Sequence, residues 1–313
     1  MADLVRCSIV IPTWNARWLI ERCLRSLKDH AEVDQAEIIV VDDGSTDDTI
    51  EKLKVAFPDI VLVIHDNNMG FASACNSGVA KASHDIVVLL NNDIIATRPF
   101  LGPLLSYFRD DKVFAVNPRV FQTRDGRPGG GLVKGAMHCG LLRLRWPETE
   151  GPRAAEGLAL YANGAAMSVS REKYMKLGGF DKLYAPFYSE DLDLSYRAYQ
   201  RGWIVRYEPR SHLTHDHGAT IGAKFDPVHI KRVSMRNRIL FVWRNIHDKQ
   251  YLTQHILWMI VRTLGAILRG NMIFIGALTD AFRLKEDVMM RRRSDPMPVV
   301  SDRKILRAIA KWE

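Results

Sequence analysis

The feature that most limits how this chain can fold is an alternation of short apolar runs and helical patterns between residues 7 and 90. The apolar runs are Cys7–Ile11, Glu37–Val41, Ile60–Ile64 and Asp85–Leu90. The segments between them with helical spacing are Trp18–Leu27, Thr46–Phe57 and Ala72–Lys81. Short strands that are continuously apolar are typical of a parallel sheet covered on both faces. The pattern predicts an α/β fold with a mostly parallel sheet flanked by helices.

Polar residues follow three of these predicted strands at the point where each strand ends. They are Thr13, Asp43 and Asp93. In open α/β sheets, ligands bind outside the carboxyl ends of the strands. The sequence therefore predicts one ligand site that brings these three positions together.

The segment Asn91–Asp93 has the residue types that a hard divalent cation prefers. Asp93 offers a charged oxygen and Asn91 a neutral one, and Mg²⁺ or Mn²⁺ is commonly held by one or two carboxylates plus substrate phosphates. A polar turn would use the same residue types, so a metal site and a turn are both open for Asn91–Asp93. Asp42–Ser45 likewise could contact a base or ribose or could form a helix cap.

A second acidic group is Glu190–Asp191, at the start of a predicted helix Asp191–Arg201. A carboxylate in a pocket can deprotonate a hydroxyl nucleophile. The competing interpretation is that acidic residues in the first turn stabilise the helix dipole. We assign the nearby Asp193 to the dipole only, because it should point to another side of the helix.

Three histidines, His212, His215 and His217, follow a predicted strand Trp203–Tyr207. Histidine can ligate a divalent metal or bind phosphate, and isolated histidines are also common on surfaces. The sequence contains no HExxH motif that would indicate a zinc enzyme.

The rest of the chain divides near residue 228. Before it, we predict a mobile glycine-rich loop over residues 123–140, a strand Tyr161–Val169 and a short helix Arg171–Leu177. After it, helical periodicity covers Ile230–Trp243 and Leu252–Leu268, and residues 291–298 are expected to be flexible. We predict a catalytic domain at 1–227 and a helical C-terminal extension at 228–313.

Composition excludes several classes of protein. The net charge of +8 raises the question of nucleic acid, but the basic excess is late in the chain and forms no channel-like pattern, so we expect no nucleic-acid partner. The four cysteines form no CxxC pair, and we see neither a signal peptide nor an apolar stretch long enough to span a membrane. The sequence predicts a cytoplasmic protein, with the cytoplasmic face of the membrane as a second option.

Taken together, the four segments resemble the family 2 glycosyltransferases of GT-A fold, and most closely their rhamnosyltransferase-like branch. The matching stretches are CSIVIPTWNARWLIERCLRSL, EIIVVDDGSTDDT, NMGFASACNSGVAKASHDIVVLLNNDI and LGGFDKLYAPFYSEDLDLSYRAYQRGW. Each is moderately specific, whereas their common order is very specific. The resemblance covers about residues 5–245.

The resemblance implies a role for particular positions. Asp191 would be the general base of an inverting transfer, and Glu190 would orient it or bind the acceptor. Asn91–Asp93 matches the metal-binding DxD motif with Asn as its first residue, so Asp93 would bind the metal with Asn91 and His215 as helpers. The positions implied to bind the nucleotide-sugar donor are Pro12, Thr13, Asp43, Asn76 and Asn92. Relatives often have Arg two residues before Asn76, which this chain lacks.

The implied activity is transfer of a sugar from a nucleotide-sugar donor, with UDP- or dTDP-sugars favoured, to a saccharide or lipid-linked acceptor in cell-surface polysaccharide synthesis. The implied cofactor is Mn²⁺ or Mg²⁺. Two alternatives are a nucleotidyltransferase and a non-catalytic nucleotide- or carbohydrate-binding protein. A nucleotidyltransferase would be expected to have a Gly-rich phosphate loop where this chain has Pro12–Asn15.

The C-terminal helices leave two interpretations open. Residues 251–285 combine apolar, aromatic and basic side chains, which is typical of helices on an anionic membrane surface. The same composition suits a helical subdomain packed on the core or on a second subunit, which would make the protein a homo-oligomer.

Overall fold

We describe the protein from a computed structural model, in which residues 6–30, 36–123, 128–147, 156–216 and 225–310 are described. A ten-stranded mixed sheet forms its centre, and eight of the strands follow the order β10-β12-β6-β11-β4-β1-β2-β3. The strands of the sheet are β1 (Cys7–Thr13), β2 (Glu37–Asp42), β3 (Val61–Ile64), β4 (Ile86–Leu90), β5 (Ile94–Ile95), β6 (Val113–Gln122), β7 (Pro128–Gly130), β10 (Gly157–Leu158), β11 (Ala166–Ser170) and β12 (Ile204–His215). A separate hairpin pairs β8 (Lys134–His138) with β9 (Leu141–Arg145).

The predicted α/β arrangement is confirmed in the first half of the chain. Strands β3, β2, β1 and β4 are parallel neighbours, and the interiors of β1 and β4 are completely buried. Burial on both faces explains why these strands show no alternation of polar and apolar residues. The sheet then turns mixed, because β11 is antiparallel to both β4 and β6.

The structure describes eleven helices. They are α1 (Arg17–Lys28), α2 (Thr49–Ala56), α3 (Phe71–Lys81), α4 (Leu101–Leu105), α5 (Arg171–Lys176), α6 (Glu190–Gln200), α7 (Pro227–Asn245), α8 (Lys249–Leu268), α9 (Met272–Arg283), α10 (Lys285–Ser294) and α11 (Asp302–Ala310). Helix α7 begins at an Asp cap: the carboxylate of Asp226 accepts hydrogen bonds from the backbone N–H groups of Val228 and His229, and Pro227 occupies the first turn.

The prediction of a mobile loop over residues 123–140 was wrong where the structure describes it, because β7, β8 and the turn after β8 lie there. Its glycines permit close packing. Gly131, with φ of +124°, lies against the ring of Tyr207, and a Cβ on Gly135 would be 2.5 Å from a methyl carbon of Leu160. Glycine-rich sequence here reflects crowding rather than mobility.

The segment 291–298, expected to be flexible, is helical over its first four residues, 291–294. Arg291–Arg293 belong to α10, and the Arg292 guanidinium donates hydrogen bonds to the backbone carbonyls of Trp243, Arg244 and Ile246. These carbonyls end α7 and have no partner within that helix, so a cation is favourable beside them. The basic run therefore caps another helix.

Two strand boundaries also differ from prediction. The strand predicted at Tyr161–Val169 begins only at Ala166, because Asn163–Ala165 form a turn. The strand predicted at Trp203–Tyr207 continues as β12 to His215, paired in parallel with β6 across an irregularity after Glu208. Two of the three histidines are thereby placed in the sheet.

The C-terminal helices pack on the part of the chain that carries the sheet. One hydrophobic cluster joins sheet residues such as Val169 and Tyr207 to Leu240 of α7, Val288 of α10 and Ile305 of α11. In the described part of the chain, no helix is both long enough and apolar enough to cross a membrane.

Candidate active site

A cavity of about 970 Å³ opens at the carboxyl ends of the parallel strands. It collects most of the residues that the sequence singled out, although they come from five separate parts of the chain. Those lining it are Pro12, Thr13, Asp43, Asn91, Asn92, Asp93, Glu190, Asp191 and His215. The prediction that successive strand ends form one site therefore agrees with the geometry.

Asn76 is the one predicted donor-binding residue that does not line this cavity. Its amide nitrogen donates to the carbonyl of Phe180 at 2.9 Å, and its amide oxygen accepts from the hydroxyl of Tyr174 at 2.6 Å and from the backbone N–H of Phe180 at 2.9 Å. These contacts join α3 to the segment after α5. In the structure Asn76 therefore links two packed segments and lies outside the cavity lining.

On the sheet side, Asp43 organises the chain around it. One carboxylate oxygen accepts from the backbone N–H of Met69 at 3.0 Å and contacts Nδ1 of His65 at 2.7 Å, and the other accepts from the backbone N–H of Gly70 at 2.8 Å. Asp43 thereby holds the start of α3 at the cavity edge. Nearby, the amide of Asn92 donates to the Thr13 hydroxyl at 3.0 Å and ties β4 to β1.

Asp93 and His215 meet on the same wall. The Nε2 atom of His215 is 2.9 Å from Oδ1 of Asp93, and both residues are buried. The side-chain oxygen of Asn91 is also buried and has no hydrogen-bond partner among the described residues. A carboxylate, an imidazole and an open amide oxygen form a donor set that fits Mn²⁺ or Mg²⁺ completed by phosphate oxygens. Within the described ranges, no group of three His, Cys, Asp or Glu residues could hold a metal without such help.

The other two histidines do not join this group. His212 uses Nε2 in a contact with the carbonyl of Pro209 at 2.6 Å, and its ring packs beside Phe121. Burial, opposed by that contact and assisted by the charge of Arg98, lowers its pKa. His217 lies outside the described residues.

A short turn at residues 163–165, which was not predicted, connects Asn91 to Asp191 across the cavity lining. The backbone N–H of Asn91 donates to the carbonyl of Ala165 at 2.8 Å, and the N–H of Gly164 donates to Oδ2 of Asp191 at 3.1 Å. Gly164 also lies close to Phe71, where a Cβ would be 3.3 Å from the ring. The Asn-Gly pair at 163–164 was the available signal for a turn.

Glu190 is buried and Asp191 is partly buried beside it, and no described cation pairs with either of them. Burial and the neighbouring Asp191 charge raise the pKa of Glu190 to about 8. Burial also raises the pKa of Asp191, but the backbone N–H groups of Gly164 and Leu192 donate to its carboxylate and oppose the shift. Of the two, Asp191 is therefore the group that ionises more readily.

The backbone before this pair is unusual. Tyr188 and Ser189 have φ values of +70° and +82°, a conformation that non-glycine residues adopt only under constraint. The buried amide of Asn237 on α7 supplies that constraint, because it donates to the carbonyls of Tyr184, Phe187 and Tyr188 at 2.7–2.9 Å. Asn237 thus positions the segment that leads into Glu190, which no local sequence pattern could reveal.

Asp193 lies in the first turn of α6 with the other two acids but faces away from the cavity. It is the centre of a group that we call the Asp193 network: Asp193, Tyr184, Arg197, Arg244 and Asn245. Oδ2 of Asp193 accepts from Arg197 at 2.7 Å, and Oδ1 accepts from Tyr184 and Asn245 at 2.8 Å. The expectation that Asp193 acts only on the helix dipole was therefore incomplete.

The cavity has a second wall of different chemistry, formed by β9 and α7. Its apolar members are Leu142, Leu144, Trp146, Phe225, Ile230 and Phe241. Arg238 lies among them, at helical spacing from Ile230 and Ser234, and is the only Lys or Arg among the described lining residues. Its sole described hydrogen bond is a long one, 3.4 Å, to the carbonyl of Leu142. Burial, with the charge of Arg262, lowers the pKa of Arg238, and no described carboxylate offsets it.

Comparison with known proteins gives a consistent result. The model of the family described as glycosyl transferase family 2 matches residues 8–178. The pre-mycofactocin glycosyltransferase of Mycobacterium tuberculosis is 31% identical over 215 residues, which are 67% of this chain and 42% of that protein. The N-acetylglucosaminyl-diphospho-decaprenol L-rhamnosyltransferase of the same organism is 26% identical over 240 residues, covering 68% and 77%. The chain spans less than half the length of the first of these relatives.

Two solved structures share the fold. GalNAc-T7, determined with UDP, GalNAc and Mn²⁺, has a TM-score of 0.62 at 19% identity and covers 80% of this chain and 49% of its own. The mannosyltransferase PcManGT from Pyrobaculum calidifontis, in complex with GDP-Man and Mn²⁺, has a TM-score of 0.56 at 17% identity and covers 92% and 86%. These similarities confirm the GT-A fold predicted from the sequence.

Proposed function

The chain belongs to glycosyl transferase family 2, and on that premise we propose that it transfers a sugar from a nucleotide-sugar donor to a hydroxyl group of a saccharide or lipid-linked acceptor. The observation that carries the proposal is the cavity itself. Its lining includes a metal-type donor set at Asp93, His215 and Asn91, and the carboxylate pair Glu190–Asp191, of which Asp191 is oriented by a backbone hydrogen bond. In support, PcManGT was determined with the nucleotide sugar GDP-Man and GalNAc-T7 with UDP and GalNAc, and one relative is named for a decaprenol-linked acceptor.

We assign the general base to Asp191. Its carboxylate is oriented by the N–H groups of Gly164 and Leu192, which also stabilise the ionised form that can accept a proton from the acceptor hydroxyl. Glu190, with a pKa of about 8, holds its own proton at neutral pH and can donate a hydrogen bond to the acceptor or to Asp191. Attack of the deprotonated oxygen on the anomeric carbon, from the face opposite the leaving diphosphate, inverts the configuration at that carbon.

We propose that Asp93 and His215, with the open amide oxygen of Asn91, hold a divalent cation, Mn²⁺ or Mg²⁺. When bound, such a cation offsets the negative charge of the departing nucleoside diphosphate. The direct contact between Asp93 and His215 keeps these ligands aligned beside the Asn92–Thr13 bond at the end of β1. Pro12, Thr13 and Asp43 would then contact the nucleoside.

The metal assignment can be tested by thermal shift with nucleoside diphosphates, including UDP, dTDP and GDP, with and without Mn²⁺. The preferred nucleotide should raise the melting temperature of the wild type more in the presence of Mn²⁺ than in its absence. Asp93→Asn should remove this additional rise, because it removes the charged metal ligand. Asp216→Asn is the matched control. Asp216 follows His215, but its carboxylate binds Arg22 and does not line the cavity. An Asp93→Asn protein with undiminished Mn²⁺ dependence would refute the assignment.

We further propose that the two predicted regions bind different substrates. Residues 1–227 would provide the donor site and the base, and residues 228–313 would provide the acceptor side through the α7 wall that carries Arg238. An apolar surface with one cation that lacks a carboxylate partner suits an acceptor that combines apolar groups with a phosphate. The four described thiols are all free, which agrees with work in the reducing cytoplasm.

Product analysis separates this function from the alternatives. Incubation with nucleotide sugars should release the nucleoside diphosphate, and release should accelerate with acceptor. Release of pyrophosphate would instead identify a nucleotidyltransferase, which the family membership does not favour. Binding without any release would identify a non-catalytic binding protein.

A further inference from the structure

Helix α8 exposes an unusually apolar surface. We call it the α8 apolar face: Ile256, Leu257, Ile260, Val261, Leu264, Ile267 and Leu268, which are between 53% and 86% exposed. Most of them recur at the three- and four-residue spacing of a single helix face. Soluble monomers rarely leave so many large apolar side chains contiguous and uncovered. Such a face indicates contact with another apolar phase.

The opposite side of α8 is fixed to the body of the protein. His255 is buried, with Nδ1 2.6 Å from the carbonyl of Gly140 and Nε2 accepting from the indole N–H of Trp243 at 2.9 Å. Two turns later in the helix, Arg262 donates to the carbonyl of Cys139 at 3.0 Å, and Ala266 is buried. The exposed face is therefore presented by a well-anchored helix rather than by a loose segment.

Charge decides which partner fits this face. From Lys249 to Thr279 the sequence contains no Asp or Glu, whereas Lys249 and Arg269 are exposed at the two ends of α8. More widely, residues 228–313 hold 17 of the 44 Lys and Arg residues but only 7 of the 36 Asp and Glu residues. The positive excess of the whole chain thus comes from the region that presents the apolar face.

A second copy of the chain would fit poorly. A symmetric contact through α8 would bring Lys249 of each copy near Arg269 of the other, with no carboxylate on the face to offset them. Anionic lipid headgroups provide that counter-charge, and the acyl region beneath them accepts the aliphatic side chains. A twenty-residue helix is about 30 Å long and can lie flat at the interface.

We propose that the protein docks on anionic lipid bilayers through the α8 apolar face, with α8 parallel to the membrane plane. Lys249 and Arg269 contact headgroup phosphates, and the aliphatic side chains insert between the lipids. The wall of the cavity formed by β9 continues into this region, because the hairpin turn at Cys139–Gly140 contacts α8. The inference does not depend on the proposed activity, since docking requires neither donor nor acceptor.

The test is vesicle flotation of the full chain, using phosphatidylcholine vesicles with and without phosphatidylglycerol. Wild-type protein should float with the anionic vesicles. Ile260→Glu/Leu264→Glu should weaken binding by at least about a hundredfold, because two inserted aliphatic side chains are lost. Lys249→Ala/Arg269→Ala should weaken binding only to the anionic vesicles, by about thirtyfold. Val55→Glu/Met175→Glu, which changes two exposed apolar residues on α2 and α5, is the matched control and should bind as wild type.

Melting curves establish that each variant is folded, and Leu257→Glu/Leu268→Glu replaces the first pair if that pair does not fold. Wild-type protein that binds neither kind of vesicle would overturn the proposal. Unchanged binding of the α8 variants would do the same. A wild-type dimer that Ile260→Glu/Leu264→Glu converts to monomer, with no vesicle binding by either, would assign the face to a second copy instead.

Discussion

The cavity and the Asp193 network differ in whether their carboxylates have cationic partners, although both include residues of the first turn of α6. In the cavity, Glu190 and Asp191 have no described cationic partner, and burial raises the pKa of each. Behind it, burial also opposes the ionisation of Asp193, but the charges of Arg197 and Arg244 and two hydrogen bonds prevail and lower its pKa. Carboxylates separated by one or two residues thus become reactive or structural according to their partners.

The arginines of α7 repeat this contrast. Arg244 is buried beside Asp181, Asp193 and Asp295, and the charges of Asp193 and Asp181 raise its pKa despite the opposing effect of burial. Arg238, six residues earlier on the same helix, lines the cavity with no described carboxylate partner. The comparison teaches that charges available to a substrate are the ones that the fold leaves uncompensated.

The largest effect should come from Asp191→Asn. The amide keeps the size of the side chain but cannot accept the proton of the acceptor hydroxyl, so kcat should fall by about 10²–10⁴-fold. Donor binding, measured by thermal shift, should stay within about twofold of wild type. An active Asp191→Asn enzyme would remove Asp191 as the base and would break the contrast at its first member.

Asp193→Asn should affect stability rather than chemistry. Removing one charge from a buried network leaves Arg197 and Arg244 less compensated, which should lower the free energy of unfolding by about 3–5 kcal/mol. The kcat of the folded fraction should change by less than about threefold. Denaturant unfolding of Glu172→Gln provides the matched control, because Glu172 forms the same i,i+4 spacing with Lys176 on the surface and its loss should be undetectable.

Glu190→Gln tests the uncompensated pair through pH. Because the pKa of Glu190 is higher in the folded state than its ordinary value near 4.5, the folded protein holds a proton that the unfolded chain releases. The contribution of this bound proton to the free energy of unfolding is fully present below about pH 4.5 and is lost as pH rises towards 8. Glu190→Gln should remove this decline, a difference of up to about 4 kcal/mol between pH 5 and pH 8. Equal pH profiles for the variant and wild type would show that Glu190 ionises normally.

Arg238→Ala should have the smallest effect and should act on the acceptor alone. Loss of one charge-assisted hydrogen bond should raise the acceptor KM by about tenfold, with the donor KM unchanged. Lys231→Ala, an exposed change on the same helix, is the control. A higher donor KM with an unchanged acceptor KM would move Arg238 to the donor diphosphate, where relatives of this family often have an arginine that this chain lacks.

Much of the cavity could be predicted because its polar residues follow directly from local order along the chain. Continuous apolar strands that alternate with helices indicate a parallel sheet. The carboxyl ends of parallel strands lie at the same end of the sheet, so Thr13, Asp43 and Asp93 were expected to meet there. The N-terminal helices and strands were found for the same reason. The predicted division at residue 228 and the chemical roles of the site residues stay predictions until the variants are measured.

Other features depend on contacts between residues distant in sequence. Asp193 meets Arg244 and Asn245 only after α7 packs beside α6, and Asn76 is turned to Tyr174 and Phe180 rather than to the cavity. The glycines of residues 131–140 predicted a loop from the sequence alone. In the structure they are packed closely against Tyr207, Leu160 and His255.

The sequence by itself determined the α/β layout, the family resemblance and the set of polar groups at the strand ends, because periodicity and motif order are local properties. Only the tertiary structure decided which of those groups carry an uncompensated charge and which face of α8 is left uncovered. Pairing and burial depend on distances across the fold, and these are set by how the helices pack on the sheet.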